Sequence, residues 1–462
     1  MRNPLRNTWT LIGTGLSLAI IVIGLGAVSA LMGQSQGGVR RARLEEVKPD
    51  EPMTLVFPTF LHTWGMQRAG STHLRIFLNG RTRFDNPQGI AATVLDAWDD
   101  PQESNDDDEP TIYGVNSGRG EIIYNTSMFS LGLYGSRGSG VGQFFDPHGI
   151  DADPAGNLVV ADTGNDRIAV LFNNGRVLSH RSYLRAVGEN DSLKAPYDVV
   201  LTPAGGVWVS DTGNGRLVHF NLEGGSDKVV DLSGIVGQPG ALALSHPHQR
   251  WSYYRHNAIY LASREGDALV MLDAEGTETA RVSPEAVGQQ SMSIRYIATD
   301  FYSNVWATDG HSHSIHKFDR NLNYLATFGS RGRRKNQFES PRGIGMWRRF
   351  GQIFIADSRG AQYYWVGADA FDVAASQEDN RLTLDYTLTE HSYVTVRGRY
   401  VGGGLEVIYR KRFRGTGRLE EVVTLEQERP LGWLEVVVEP TYSSYTYREK
   451  VFHLRFFDGG SR

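Results

Sequence analysis

The chain has 462 residues, 53 glycines, no cysteine and a formal net charge of −5 at pH 7. The lack of cysteine excludes disulfides, thiolate metal sites and cysteine nucleophiles, and the acidic balance argues against a protein that binds nucleic acid over its whole surface. The length predicts two or three domains, and the many glycines and tyrosines predict a turn-rich, all-β protein.

The first predicted element is an apolar segment, Leu11 to Met32, that contains no charged residue. About 22 residues rising ~1.5 Å each would form a helix of roughly 33 Å, enough to cross a hydrocarbon core. We therefore predict a single-pass membrane anchor over 1–33, with the bulk of the chain periplasmic or extracellular. The alternative is a cleaved signal peptide ending near Val28-Ser29-Ala30, after which the body would be secreted. The polar stretch 34–53 is predicted to be a linker.

The middle of the chain repeats one pattern at intervals of roughly 40–50 residues, which is the signature of a repeat architecture. Each copy has Pro-x-Gly or a relative, an apolar strand, a turn, a second strand that ends in Ala-Asp or Ser-Asp, and a third strand. The clearest copies are DPHGIDADPAGNLVVADTGNDRIAVLF at Pro147, APYDVVLTPAGGVWVSDTGNGRLVHF at Pro196 and SPRGIGMWRRFGQIFIADSRGAQYYWV at Pro341. Degenerate copies begin at FDNPQGI, QPGALAL and SIRYIATD.

These motifs resemble the NHL repeat family, whose pattern is G-x-x-G-x-x-x-G-x-F-x-x-P-x-G-I followed by V-x-D-x-x-N-x-R-I. The copy from Gly135 to Ile168 matches almost throughout, and the resemblance covers roughly 85–367. It implies a six-bladed β-propeller with four antiparallel strands per blade, here predicted over 54–370, and implies no particular function. Since an open ring would expose sheet edges, the segment 54–84 is predicted to supply the missing outer strand.

Residues that recur in the blades are predicted to be structural. Asp162, Asn165 and Arg167 return as Asp211, Asn214 and Arg216. Asp and Asn bond to the backbone in tight turns, and Arg can pair with the turn carboxylate. The Pro-x-Gly residues likewise end a loop and let the chain enter the crowded inner strand.

Positions at which the copies differ are the better candidates for a binding site. In the family geometry, the loops that enter the inner strands and the turns after the second strands open on one face, around the central channel. The predicted ligand-binding residues are Gln88, His148, Tyr197, Arg264, His311, His313, Arg342 and Arg359. With Arg295 and the inter-blade basic residues Arg137, Arg331, Arg333, Arg334 and Lys335, they predict a locally positive face. Such a face suits an anionic ligand, a carboxylate-rich partner or lipid headgroups.

Three of these residues, His148, Tyr197 and Arg342, are candidate catalytic groups at the channel mouth. Resemblance to the peptide-amidating lyase, an NHL-like propeller, would imply a His-bound zinc beside Arg and Tyr. However, His311 and His313 share one turn instead of lying in different blades, and the cysteine-bearing segments of that lyase are missing. No cofactor is therefore predicted. Calcium at the acidic residues 106–109 is an alternative, but their spacing is not that of an EF-hand.

An aromatic insertion, HPHQRWSYYRHN, is predicted to project from the opposite face of the propeller, together with the shorter MWRRF. Tyr, Trp and Arg are enriched in interface cores. The predicted protein interface is formed by His248, Trp251, Tyr253, Tyr254 and Trp347. The alternative is local packing on the blade.

From about 371 to 462 the chain has short alternating strands. Leu382, Leu384, Tyr386 and Leu388 fall on one face of the first. This pattern predicts a β-sandwich of about 90 residues, and it resembles the Ig-like domains found beside bacterial propellers, including the flagellar-hook-cap type.

These features predict a membrane-anchored, extracytoplasmic propeller that binds or scaffolds another molecule, with protein partners in or at the membrane, as in an accessory subunit of a membrane complex. The alternative is a propeller enzyme, a lyase or hydrolase with or without a metal ion, that acts at the channel mouth. Binding of single-stranded RNA is a third hypothesis, which the membrane segment disfavours because an exported face rarely meets RNA. No P-loop, dinucleotide fingerprint or serine nucleophile elbow is found in the sequence.

Overall fold

The computed structural model describes residues 39–58, 68–98, 110–127, 130–188, 191–442 and 448–457. The predicted membrane anchor, 1–33, and the acidic residues 106–109 lie outside the described residues. Within the described residues, no helix has both the length and the apolar character that crossing a membrane requires.

Four short elements precede the repeats. They are β1 (Arg40–Lys48), β2 (Leu55–Val56), β3 (Arg68–Gly70) and helix α1 (Ser71–Phe77).

The repeats form six antiparallel sheets, which confirms the predicted six-bladed propeller. Blade 1 has β4 (Pro87–Thr93), β5 (Thr111–Asn116), β6 (Glu121–Ser127) and β7 (Ser130–Tyr134). Blade 2 has β8 (Ile150–Ala152), β9 (Asn157–Asp162), β10 (Arg167–Asn173) and β11 (Leu178–Leu184), followed by the hairpin β12 (Ala186–Gly188) and β13 (Asp191–Ser192). Blade 3 has β14 (Val199–Leu201), β15 (Gly206–Asp211), β16 (Arg216–Asn221) and β17 (Ser226–Asp231).

The second half of the ring follows the same plan. Blade 4 has β18 (Pro239–Ser245), β19 (Ala258–Ser263), β20 (Leu269–Leu272) and β21 (Glu278–Val282). Blade 5 has β22 (Ile294–Thr299), β23 (Val305–Asp309), β24 (Ser314–Phe318) and β25 (Tyr324–Phe328), followed by the short pair β26 (Ser330–Arg331) and β27 (Gln337–Phe338). Blade 6 has β28 (Pro341–Trp347), β29 (Gln352–Asp357) and β30 (Gly360–Val366). Single 3-10 turns lie at Ser117–Arg119, Thr163–Asn165, Thr212–Asn214 and Pro284–Val287.

Blade 6 receives its outer strand from the segment before blade 1. Strand β2 pairs with β30 at Leu55–Val366, and β3 pairs with the same strand at Gly70–Gly360. The two ends of the propeller sequence therefore meet in one sheet, which removes the exposed edges that an open ring would have.

The propeller has two faces, which we name by the inner strands. The upper face carries the loops in which the Pro-x-Gly motifs enter the inner strands β4, β8, β14, β18, β22 and β28. The lower face carries the turns that join each inner strand to the second strand of its blade. The motif glycines allow neighbouring inner strands to approach each other closely. A Cβ at Gly149 would lie 2.1 Å from Asp198 Oδ1, and one at Gly343 would lie 2.2 Å from the Gln88 carbonyl oxygen, so any side chain at either position would clash.

The C-terminal region contains β31 (Ala370–Glu378), β32 (Arg381–Leu388), β33 (Ser392–Tyr400), β34 (Leu405–Arg414), β35 (Gly417–Thr424), β36 (Leu431–Pro440) and β37 (Lys450–Phe456). With β1 they form an eight-stranded sheet in the order β34-β33-β36-β37-β1-β31-β32-β35. The predicted inward face of β32 is confirmed, since Leu382, Leu384, Tyr386 and Leu388 are all buried in one apolar cluster. The Ig-like sandwich stays a prediction.

Strand β1 corrects the prediction of a linker over 34–53. It pairs with β37 from Ala42–Phe456 to Lys48–Val451 and with β31 at Arg40–Gln377. A charged sequence can form this strand because most of its side chains are exposed to solvent. Only Ala42 and Val47 pack against the core. Polarity alone therefore does not distinguish a linker from a largely solvated strand.

The propeller and the C-terminal sheet meet at the lower face through a buried polar network. Lys317 Nζ lies 2.5 Å from Glu390 Oε2, and both side chains are buried. The Tyr302 ring stacks on His391 with centroids 3.9 Å apart and planes 6° apart. The Tyr254 hydroxyl lies 2.9 Å from His391 Nε2. These contacts place the C-terminal sheet beside blades 4 and 5.

Candidate functional site

The recurring Asp-Asn-Arg residues hold loops to blades, as expected for structural residues. Asp162 Oδ2 accepts hydrogen bonds from Arg167 Nε at 2.6 Å and Asn165 Nδ2 at 2.9 Å, and its Oδ1 accepts the Phe145 amide at 2.8 Å. Arg167 also donates to the carbonyl oxygens of Ser139 and Gln143. All donors and acceptors are occupied within the protein, so this group is not a reactive trio.

At the upper face, several predicted residues converge on the channel axis as an aromatic cluster. The His148 and Tyr197 ring centroids are 4.8 Å apart, and Tyr197 stacks on Tyr296 at 5.7 Å. Arg264 lies over the Tyr197 ring at 4.4 Å. The Tyr296 hydroxyl donates to Gln88 Oε1 at 3.3 Å. We call Gln88, His148, Tyr197, Arg264, Tyr296 and Arg342 the upper cluster.

Burial controls the titration of the upper cluster. It lowers the pKa of His148, which the nearby cations Arg264 and Arg342 lower further, against an opposing effect of Asp146. His148 Nδ1 lies 2.9 Å from the Asp146 carbonyl oxygen, which can only accept, so Nδ1 carries the proton. Burial also raises the pKa of Tyr197, and raises that of Tyr296 well above its usual range. At neutral pH the cluster thus holds a neutral imidazole and two protonated phenols, with Tyr197 between His148 and Tyr296.

Arg342 turns away from the rings toward blade 1. It donates to Asn86 Oδ1 and, at 3.2 Å, to the Pro87 carbonyl oxygen. Burial lowers its pKa. Arg342 therefore joins blades 6 and 1 while it contributes positive charge to the upper cluster.

The other predicted upper-face residues do not join this cluster through the contacts that the structure shows. His311 Nε2 lies 3.0 Å from Ser291 Oγ, and His313 Nδ1 lies 2.6 Å from the Glu339 carbonyl oxygen. Arg359 is exposed and acts electrostatically on Glu339. In the described part of the chain, no group of three or more His, Asp or Glu side chains has an arrangement that could hold a metal ion.

The channel widens below Tyr296 into a cavity of about 730 Å³ that reaches the lower face. All six inner strands line it, and its lower rim is formed by the turns of blades 1 to 3, by residues 248–251 and by Trp347 and Arg348. We call this cavity the lower chamber. Among the described residues that line it, Tyr296 belongs to the upper cluster, whereas His148 and Tyr197 do not. The aromatic stack thus separates the chamber from the upper face.

Two aspartates that the sequence analysis did not select line the chamber wall. Asp198 accepts the amides of Val199 and Leu242, each at 2.9 Å, and Asp151 accepts those of Ala152 at 2.9 Å and Leu201 at 2.8 Å. Each carboxyl thereby ties one blade to the next. Burial raises the pKa of Asp198 to about 8 and that of Asp151 to about 6. The sequence carried a signal for Asp198, because it replaces the glycine of Pro-x-Gly in that copy.

The structure places the residues of the predicted protein interface in different surroundings, with Tyr253 51% exposed, and the interface itself stays a prediction. Trp347 is only 7% exposed and lines the lower chamber, so it is not available to a partner protein. Tyr254 bonds to His391, and Tyr253 packs against Tyr302 at 5.3 Å and Phe413 at 5.9 Å. These tyrosines contact the C-terminal sheet of the same chain. Aromatic residues are equally suited to contacts within and between chains, which is why composition could not separate the two.

His248 and Trp251, the remaining predicted interface residues, lie at the chamber rim. His248 is exposed, whereas Trp251 is half-buried with Arg349 over its ring at 4.8 Å. The rim also carries an ion pair between Arg250 and Asp96 at 3.6 Å. The insertion after β18 therefore borders the entrance of the chamber.

Comparisons with known proteins found one family match and several similar solved structures. A family model described as the NHL repeat matches residues 144–171. Similar solved structures include a streptogramin B lyase, with 13% identity, coverage of 62% of this chain and 94% of its own, and a TM-score of 0.41. Virginiamycin B lyase from Staphylococcus aureus has 13% identity, coverages of 59% and 78%, and a TM-score of 0.38. Regucalcin, a calcium-binding protein from Agrobacterium tumefaciens, has 12% identity, coverages of 62% and 90%, and a TM-score of 0.40. No curated protein matches the chain.

Proposed function

We propose that this protein is a binding protein whose small-molecule ligand enters the lower chamber from the lower face of the propeller. The observation that carries the proposal is the chamber itself. Its volume of about 730 Å³ falls within the ~300–1,000 Å³ typical of ligand pockets, and its wall combines apolar and polar surface in similar measure.

The enzyme alternative has weaker support. Its candidate residues His148 and Tyr197 are closely packed, and Tyr197 is 5% exposed. Although a neutral His148 could act as a base through Nε2, the Tyr197 ring packs against it and is itself stacked on Tyr296. A substrate would have to displace this stack to reach the imidazole.

We also propose that residues 1–33 anchor the protein in a membrane, with the body extracytoplasmic, and that a protein partner binds there. The C-terminal sheet supplies the surface that best supports a partner. Its edge strand β34 exposes the apolar side chains of Leu405 and Val407 beside four basic residues, Arg410, Lys411, Arg412 and Arg414. An edge strand of this kind can accept a strand from a partner.

Mass spectrometry of the full-length protein, purified from native membranes in mild detergent, tests the binding function. Denaturation should release a small molecule in roughly equimolar amount. Ala298→Phe, which places a ring in the chamber wall, should abolish this co-purification. Ala280→Phe on the outer strand of blade 4 is the matched control and should retain it. Release of no compound, or equal release from both variants, would contradict the proposal.

Membrane fractionation of the same cells tests the anchor. Immunoblotting should find the full-length chain in the membrane fraction. A shortened, soluble product would show signal-peptide cleavage instead.

A further inference from the structure

The lower end of the chamber gathers buried polar atoms that have no hydrogen-bond partner. Among the described residues, these are Trp251 Nε1, Trp347 Nε1, Arg348 Nη1 and Gln249 Oε1, and all four residues line the chamber. An unpaired buried polar group costs roughly 1–3 kcal/mol, and native proteins contain few of them. These four atoms lie at one end of one cavity and have almost no accessible surface, so a ligand completes them when the rim side chains turn towards the chamber.

The unpaired groups are mostly donors. Three of the four are donors, namely two indole N–H groups and one guanidinium nitrogen, and one is an acceptor, an amide oxygen. A ligand that satisfies them must be rich in acceptors, which excludes ammonium-type cations as the group bound there.

Arg348 adds a positive charge to these donors. Its Nη2 is used by the protein, since it donates to Thr299 Oγ1 and, at 3.2 Å, to the Leu244 carbonyl oxygen, which fixes the guanidinium plane. Burial lowers the pKa of Arg348 to about 10, so it stays charged at neutral pH. Two buried carboxylates, Asp300 and Asp151, act on Arg348 electrostatically and favour its charged form, and among the described residues neither forms an ion pair with it. Both oxygens of Asp151 are engaged by backbone amides.

Above the donors, the chamber wall carries apolar as well as polar surface. Its apolar lining residues include Ile90, Ile150, Val199, Leu242 and Ile344 of the inner strands. An anion that is polar throughout, such as inorganic phosphate, would leave this apolar part of the wall unused. A charged head with an apolar body would match both parts of the chamber.

We propose that the lower chamber binds a small organic carboxylate, with its head on Arg348, Trp347 and Trp251 and its apolar body among the inner strands. This inference rests on the proposed binding function and names the class of its ligand. The guanidinium and indole donors recognise the carboxylate, and Gln249 accepts a hydrogen bond from a donor elsewhere on the ligand.

Calorimetric titration of the full-length protein with matched carboxylates and alcohols tests this inference. The probes are benzoate, 2-naphthoate and octanoate, each compared with benzyl alcohol, 2-naphthalenemethanol and octan-1-ol. At least one carboxylate should bind about tenfold or more tightly than its alcohol, because charge-assisted hydrogen bonds are worth ~1.5–3 kcal/mol.

Variants locate the site. Arg348→Lys keeps the charge but loses the planar donors, and it should weaken carboxylate binding roughly tenfold. Trp347→Phe keeps a ring and loses one N–H, and should weaken it by about three- to tenfold. Trp433→Phe is the control, because Trp433 stacks on His453 in the C-terminal sheet, and it should not change the affinity. Circular dichroism verifies that each variant is folded, and if Arg348→Lys is not, Trp347→Phe alone decides.

The outcomes separate this inference from the proposed function. Equal affinity for carboxylates and alcohols, with both lost in Ala298→Phe, would overturn the carboxylate assignment and leave binding in the chamber intact. Absence of binding by every probe would overturn the assignment as well, and the mass-spectrometric test would then decide the binding function. Affinity that Arg348→Lys and Trp347→Phe leave unchanged would also overturn it.

Discussion

Asp198 shows how one substitution in a repeat can change the chemistry of the channel. It stands where three other copies have glycine, at Gly89, Gly149 and Gly343, and its carboxyl lies in the chamber wall between blades 3 and 4. Burial, with a smaller contribution from the Asp151 charge, raises its pKa to about 8, although it accepts two backbone amides. At pH 7 the chamber therefore holds less negative charge than its sequence suggests.

This titration predicts that carboxylate binding weakens as pH rises from below 6 to above 8. Asp151 ionises near pH 6 and Asp198 near pH 8, because burial raises both pKa values. The Arg348 charge partly opposes the rise in the pKa of Asp151, and the Asp153 charge adds to it. Each new negative charge repels a bound carboxylate, at a cost of about one order of magnitude in affinity. Titrations of 2-naphthoate across this range should show the decline, and Asp198→Asn should remove its upper step. An affinity that is constant with pH in the wild type would contradict this account.

The Asp-Asn-Arg turns act on the scale of the element, since each fastens an inter-blade loop to its blade. Arg167 is 2% exposed, and its guanidinium lies 3.8 Å from the Tyr183 ring centre. Arg216 makes the equivalent bond to Asp211 at 2.7 Å but also pairs with the exposed Asp191. The same motif is therefore more deeply buried in blade 2 than in blade 3.

Arg167→Ala should consequently cost more stability than Arg216→Ala. The first leaves the Asp162 carboxylate buried without its cation, which typically costs about 3–5 kcal/mol. The second also leaves a buried carboxylate, Asp211, but Arg216 itself is 15% exposed, so water can replace the guanidinium and we expect about 1–2 kcal/mol. Urea denaturation followed by fluorescence measures both. Equal losses, or a larger loss for Arg216→Ala, would contradict the structural role assigned to Arg167.

At this scale, the features that the repeat motif encodes could be predicted from the sequence. The blades, the Asp162 turn and the convergence of His148, Tyr197 and Arg264 follow from motif positions. The lower chamber could not be predicted in the same way. Gln249, Trp251 and Arg348 lie in turns with no counterpart in the repeat, and their proximity depends on how turns from different blades meet.

On the scale of the whole molecule, strand β1 connects the N-terminal segment to the C-terminal sheet. It lies between β37 and β31, so residue 39 lies at the end of a strand in the middle of that sheet. Only a few residues separate β1 from the predicted anchor, and six residues span at most about 20 Å. If 1–33 lies in a membrane, the C-terminal sheet is held close to it.

Two truncations test the role of β1. Removal of 1–38 should leave a folded body, whereas removal of 1–48 should also expose the edges of β37 and β31 and promote aggregation. Light scattering and thermal melts compare the two. Equal melting temperatures and equal solubility would show that β1 contributes little to the sheet.

The central claim is that the lower chamber binds a carboxylate through its unpaired donors, and the indole N–H signals of ¹⁵N-tryptophan-labelled protein test it most directly. Trp→Phe variants assign the signals of Trp251, Trp347 and Trp433. On addition of 2-naphthoate, the signals of Trp251 and Trp347 should shift downfield as their N–H groups gain an acceptor, while that of Trp433 stays in place. Unmoved Trp251 and Trp347 signals at saturating ligand, or an equal shift of Trp433, would contradict the claim.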